Sequence, residues 1–231
     1  MLVDKMLKLD WANLRNTYSS LRGTVRCKNN VPGSSTEFYS TDGHAIECKL
    51  EEYFTGDWIE DTFEEHMNNP TSSEMFSIVA ALALNRRANK IIIDALCNSP
   101  HTIVGADRVN VGAVCDVLQR GQQEDVAAVV HFEQWNLVKH LAEMIDVDIE
   151  DGQKWFGIDW NLNSELPLIG DKRRCFIYHR SAIGFADSGK FNMSASWHAE
   201  RASTFVNTSI KMGAVVINPQ YVFEIQATEE Q

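Results

Sequence analysis

The sequence predicts an α+β protein, with helices covering one mixed sheet and a second β-rich patch. Three stretches carry that prediction. Thr71 to Asn98 reads as one long helix, and VAAVV (126–130) followed by HFEQWNLVKHLAEMI reads as a buried strand leading into an amphipathic helix. Beyond Asp151-Gly152 the chain reads as strands: WFGIDW, RCFIYH, FNMSASW, GAVVI and YVFEI.

The long helix is the strongest of these signals. Thr71 with Glu74 fits a capping box, Pro70 stands just ahead, and Pro100 closes the far end. From Met75 to Leu84 every residue except Ser77 is apolar; Asn85, Arg86, Arg87, Asn89 and Lys90 interrupt, and Ile91 to Ile93 resume. The charges rule out a membrane span, and Arg86 and Asn89 break any heptad. A helix apolar on most sides is expected to be covered on most sides.

Leu2, Met6, Leu9, Leu14 and Leu21 sit among polar residues at loosely helical spacing, which predicts an arm that packs on something else. From Leu21 to Phe54 the pattern changes to short β-like runs around turns: LRGTVRCK, TEFYS, then TDGH, then AIECKLEEYF. A two-stranded hairpin cannot build a core, so it must lie on another surface. Trp58, Ile59, Phe63 and Met67 recur at spacing near four, which predicts a short helix before the long one. Val109 to Leu118 is a weaker helical segment, and AIGFA (182–186) is expected as one helical turn between two strands.

The chain has 231 residues with a formal net charge of −11, which argues against a general nucleic-acid binder. Charge is uneven. Residues 1–30 hold Lys5, Lys8, Arg15, Arg22, Arg26 and Lys28 against Asp4 and Asp10, whereas 37–65 hold ten acids against Lys49 alone. Each block reads as a solvated surface; together they point to contact between them, within or between chains. Five cysteines (Cys27, Cys48, Cys97, Cys115 and Cys175) include no CxxC pair. Cys27 and Cys48 can face each other across a hairpin, but reduced thiols in a reducing compartment are the expectation.

Catalytic signatures are sparse. The sequence has no HExxH, GxxxxGK[ST], GxGxxG or GxSxG. His198 and Glu200 match only half of a zinc-deaminase motif, since PCxxC is absent. Cys97 with His101 can be written as a thiol–imidazole pair, but a cysteine at a helix end is more often a small buried hydrophobe. Asp57, Glu60, Asp61, Glu64 and Glu65 lack the glycine and spacing of a calcium loop. No catalytic, cofactor or metal site is expected.

The order of elements resembles the major capsid proteins of tailed bacteriophages with the Hong Kong 97-type fold. FSIVAALALNRRANKIIIDALC is similar to that family's spine helix, and VAAVVHFEQWNLVKHL to its axial-domain strand and helix. FIYHRSAIGFA, a further strand, then SIKMGAVVINPQYVFEI is similar to its closing pattern of short helix, strand and last strand. The resemblance implies an N-terminal arm over 1–20 and an extended β-hairpin loop over 21–54 that reaches across a neighbouring subunit. It also implies a peripheral domain over 55–99 and 213–231, with an axial domain over 100–212.

On function, the resemblance implies a non-enzymatic subunit that self-assembles into hexamers and pentamers of an icosahedral head enclosing double-stranded DNA. It implies assembly in the host bacterial cytoplasm with a separate scaffold protein, a portal, and cement or minor capsid proteins. Arg22, Arg26 and Lys28 are expected to face acids of a neighbour, among them Glu51, Glu52, Glu60 and Asp61, with Trp58 and Phe63 as apolar anchors. Two other readings are an encapsulin-like nanocompartment shell and, from a different class, a small cytosolic hydrolase.

Overall fold

The computed structural model describes residues 26–28, 35–60, 70–120, 125–143, 154–155, 157–189 and 191–228. The expected arm over 2–21 lies outside them. The first part of the chain gives β1 (Arg26–Lys28), β2 (Ser35–Tyr39), β3 (Ala45–Lys49), β4 (Glu51–Glu60), α1 (Pro70–Asn98), β5 (Thr102–Val104) and α2 (Val111–Arg120). Then come β6 (Val126–Val130), α3 (Phe132–Glu143), β7 (Lys154–Trp155), β8 (Ile158–Leu162), β9 (Leu168–Ile169) and β10 (Lys172–His179). The last third gives β11 (Ile183–Asp187), β12 (Asn192–His198), β13 (Ser203–Val216) and β14 (Val222–Thr228).

Two larger sheets share one core. The first joins β5, β14, β10, β6, β8 and β7 side by side, with β9 on β10. Its centre is β6, five consecutive buried residues, as a strand covered on both faces requires. Asn110 caps α2 by accepting from the Ala113 amide at 2.8 Å, and α2 buries Ala113, Val114 and Val117. Helix α3 contributes Trp135, Val138 and Ala142, with the Trp135 and Trp160 rings 5.6 Å apart.

The second sheet is organised by β13. Residues 203–212 pair with β4 along one edge; on the other edge lie β12, against 203–209, and β11, against 212–216. β1 runs parallel to β11. Residues 222–228 pair with 172–178, whereas 183–216 lie in the sheet against which α1 packs.

Helix α1 spans 29 residues, about 44 Å. Ala80, Ala81, Leu84, Ala88, Ile92, Ile93 and Leu96 are buried, and their spacing keeps one stripe on the core. The coverage is narrower than expected. Ile78, Val79 and Leu82 are exposed, because β13 and β4 cover one side of the helix.

Three local expectations are corrected. Trp58 and Ile59 belong to a ten-residue strand, not a helix, because β4 finds a full-length partner in β13. Phe63 and Met67 lie outside the described residues. AIGFA is strand β11 with Ile183 to Asp187 all buried, and the helical turn is displaced to Arg180–Ala182. Residues 203–212, read only in part as strand, extend GAVVI into one strand of 14 residues.

The hairpin β2–β3 closes through Thr41, Asp42 and Gly43, with Gly43 at φ +80°. Its inner face, Phe38 and Cys48 with nearby Leu50, packs on Ala186 and Ile217 of its own chain. The second sheet is bare where the hairpin sits. A Cβ on Gly184 would come within 2.7 Å of the Phe38 ring, and one on Gly213 would overlap the Lys49 carbonyl oxygen. The supporting surface that the hairpin demanded is therefore, on this face, its own domain. The outer face carries Glu37 directly opposite Glu47, with Tyr39 57% exposed.

One buried ionic cluster locks the C-terminal end of α1 to the first sheet. Glu224 on β14, its side chain 1% exposed, accepts from Arg174 Nε at 2.9 Å, from a second Arg174 nitrogen, and from Gln226 Nε2 at 3.0 Å. Arg174 Nη2 also donates to the Cys97 carbonyl at 3.2 Å, a cation where the helix dipole favours one. His101 has Nε2 2.6 Å from Glu224 and Nδ1 2.7 Å from the Ser99 carbonyl. Burial pushes the Glu224 carboxyl upward, but the hydrogen bonds and positive charge outweigh it and hold it below the usual carboxylate value.

Candidate assembly surface

Strands β12, β13 and β4 form a three-stranded arm whose two faces have different fates. In an antiparallel sheet, directly opposed residues share a face. Tyr53, Val206, Thr208, Ile210 and Met212 lie on the face toward α1, where Arg87 stacks over the Tyr53 ring at 4.6 Å. The opposite face carries Glu52, Phe54, Gly56 and Trp58 of β4 beside Lys211, Ser209, Asn207 and Phe205 of β13. It is continuous with the patch on which the hairpin sits, but the hairpin stops at the Gly213 end.

What remains in water is an aromatic row. Phe54 is 73% exposed and Trp58 39% exposed. The Phe205 ring lies over Gly56, where a Cβ would approach it to 2.5 Å, and its centroid is 4.9 Å from Trp58. His198 meets Trp58 edge-on at 5.0 Å, and Arg201 stacks over the same indole at 4.6 Å. These contacts hold Trp58 in one orientation without covering it. Aromatic and arginine side chains so arranged are the composition of interface hot spots, and contiguous exposed apolar surface marks an interaction site.

Of the residues expected at an interface, the structure brings Glu51, Glu52, Trp58 and Glu60 together on one strand. Glu52 sits opposite Lys211 and accepts from Ser209 Oγ at 2.9 Å; Glu51 accepts from the Tyr53 hydroxyl at 2.7 Å. Arg26 and Lys28 lie on β1, with β11 and β13 between them and β4. Arg22, Asp61 and Phe63 lie outside the described residues. Sequence reasoning missed Phe54, His198, Arg201 and Phe205. Pairing 203–212 with 51–60 would have found Phe205, since that register aligns it with Trp58, whereas His198 and Arg201 come from β12 and the turn after it.

The residues considered for catalysis are otherwise engaged. Burial pushes the Cys97 thiol up to about 11, which leaves little nucleophilic thiolate at neutral pH. His101 is held by Glu224 and Ser99. His198 packs on Trp58, and Glu200 is an exposed residue of a short 3-10 turn. Cys48, Cys97, Cys115 and Cys175 form no disulfide among the described residues.

The chain has the Hong Kong 97-like capsid fold. Residues 116–229 match the family described as phage capsid protein. Similar solved structures include the holo-SrpI encapsulin complex of Synechococcus elongatus, 11% identical with a TM-score of 0.70 over 91% of this chain and 88% of that one. Mycobacterium phage Che8 is 14% identical, with a TM-score of 0.65 over 94% and 90% of the two chains. The capsid of Myoviridae phage XM1 is 12% identical, with a TM-score of 0.64 over 90% and 91%. No curated protein sequence matches the chain.

Proposed function

We propose that the chain is the major capsid protein of a tailed double-stranded DNA bacteriophage, forming hexamers and pentamers of an icosahedral head that encloses the genome. The observation that carries this reading is the uncovered row of Phe54 and Trp58 on an arm built from three strands. A lone molecule leaves that row in water; a second copy removes it.

In this reading residues 1–20 are the N-terminal arm, 21–54 the extended loop, 55–99 and 213–231 the peripheral domain, and 100–212 the axial domain. Arg22, Arg26 and Lys28 at the base of the loop face acids of a neighbour, among them Glu51, Glu52, Glu60 and Asp61, and opposite charges there steer copies into register. A net charge of −11 keeps non-specific grip on the enclosed DNA weak. Assembly takes place in the host bacterial cytoplasm, with scaffold, portal and cement or minor capsid proteins as separate chains.

Electron microscopy of the purified chain, alone and with its scaffold, is expected to show capsomers, tubes or shells; a strictly monomeric species under all conditions overturns the proposal. Trp58→Ala with Phe54→Ser is expected to weaken association at least about 30-fold, as for loss of a hot spot worth about 2 kcal/mol, while circular dichroism stays native. A second reading, an encapsulin-like compartment holding protein cargo, is favoured by the similarity to the SrpI encapsulin complex. Analysing the contents of native particles for DNA or for protein decides between the two.

A further inference from the structure

The three-stranded arm has two outer edges of opposite character. Among the described residues, β4 and β12 each pair with β13 alone. β4 guards its edge with Glu51, Glu52 and Asp57, the charge that natural edge strands use against unwanted pairing. β12 reads Asn-Met-Ser-Ala-Ser-Trp-His, seven residues with no formally charged side chain and no proline. Most of its side chains are exposed, and Trp197 is 51% exposed. An open, uncharged strand of that length is a template for another strand.

We infer that the outer edge of β12 pairs with β12 of a second copy of this chain, antiparallel about a two-fold axis through Ala195. This rests on the reading that copies of the chain assemble. The sequence of the strand selects its own partner. In that register Met193 faces Trp197 of the second copy, and Ala195 faces its equivalent. Ser194 faces Ser196, and Asn192 faces His198, on the other side of the sheet. Apolar residues meet apolar ones, polar residues meet polar ones, and the sulfur of Met193 lies against an indole. The acidic β4 edge offers no such match, because its own copy would oppose it with the same charge. Pairing joins two three-stranded arms into one six-stranded sheet and covers Trp197.

The test is a set of charge exchanges at two exposed positions, with association read by sedimentation, particles by electron microscopy and folding by thermal melts. Ser194→Glu with Ser196→Glu, and separately Ser194→Lys with Ser196→Lys, set two like-charge pairs across the axis. Each is expected to weaken self-association about tenfold, as two opposed like-charge pairs would. Ser194→Lys with Ser196→Glu sets two opposite-charge pairs and is expected to associate as the unsubstituted chain does. If all three variants associate alike, or if the Glu and Lys doubles shift in opposite directions, this pairing is overturned. Shells that persist in every variant defeat the strand pairing and leave the capsid reading standing. Absent shells with the expected sedimentation pattern do the reverse.

Discussion

Replacing Glu224 with alanine is expected to destabilise the fold by about 3–5 kcal/mol, the range for removing one partner of a buried ion pair. The variant leaves the Arg174 guanidinium and His101 at the end of α1 with no carboxylate to accept from them. Both are anchored from the other side by main-chain carbonyls of Cys97 and Ser99, so neither can swing to solvent without freeing the end of the helix. A matched double replacement, Glu224→Leu with Arg174→Met, is expected to cost far less, because both charges leave together. Denaturant unfolding of the three proteins measures this; equal losses in the single and double variants would contradict it. The pH dependence has a defined sign. A carboxyl held below its ordinary value stabilises fully above the unfolded pKa of about 4.3 and loses that contribution as pH falls through the lower folded value. The difference between the native protein and Glu224→Ala should therefore be constant near neutrality and shrink only in strong acid.

Gly213→Ala is expected to cost about 1–3 kcal/mol, as overpacking does, and to release the hairpin. The new methyl group overlaps a backbone oxygen, that of Lys49, which cannot rotate away as a side chain would. The hairpin has to lift, and Phe38 and Cys48 lose their cover on Ala186 and Ile217. Limited proteolysis at Thr41 to Gly43 should then be faster, with Gly105→Ala as control, since nothing lies within 4 Å of a Cβ there. A hairpin equally protected in both variants would show that it is not seated on Gly213.

These two sites differ in how visible they were beforehand. The long helix, β6 with α3, and the Thr41–Gly43 turn were legible because each is local: a cap, a period or a turn residue announces it. The arm was not, because β4 owes its conformation to residues some 150 positions away. Taken alone, Trp58 and Ile59 near Phe63 and Met67 imitate a helical stripe. Gly213 looked like an ordinary strand glycine and Gly184 like part of a helical turn, and only the hairpin lying across them shows why a side chain there is excluded. Glu224 gave no local sign at all, since its partners come from the end of α1, from His101 and from β10. The aromatic row was half legible: Trp58 stood out, but Phe205 and Arg201 needed the register.

One strand, β13, begins at the arm's tip and ends inside the core, with no break over its 14 residues. A beam anchored at one end behaves differently from a hinged flap. Torque applied near Ser203 cannot dissipate in a loop; it reaches Met212 and Val216 as altered sheet twist beneath α1. Neighbours pulling on the arm would thus set the curvature of the whole subunit, and the geometry of any container built from it would be encoded in the stiffness of that single ribbon.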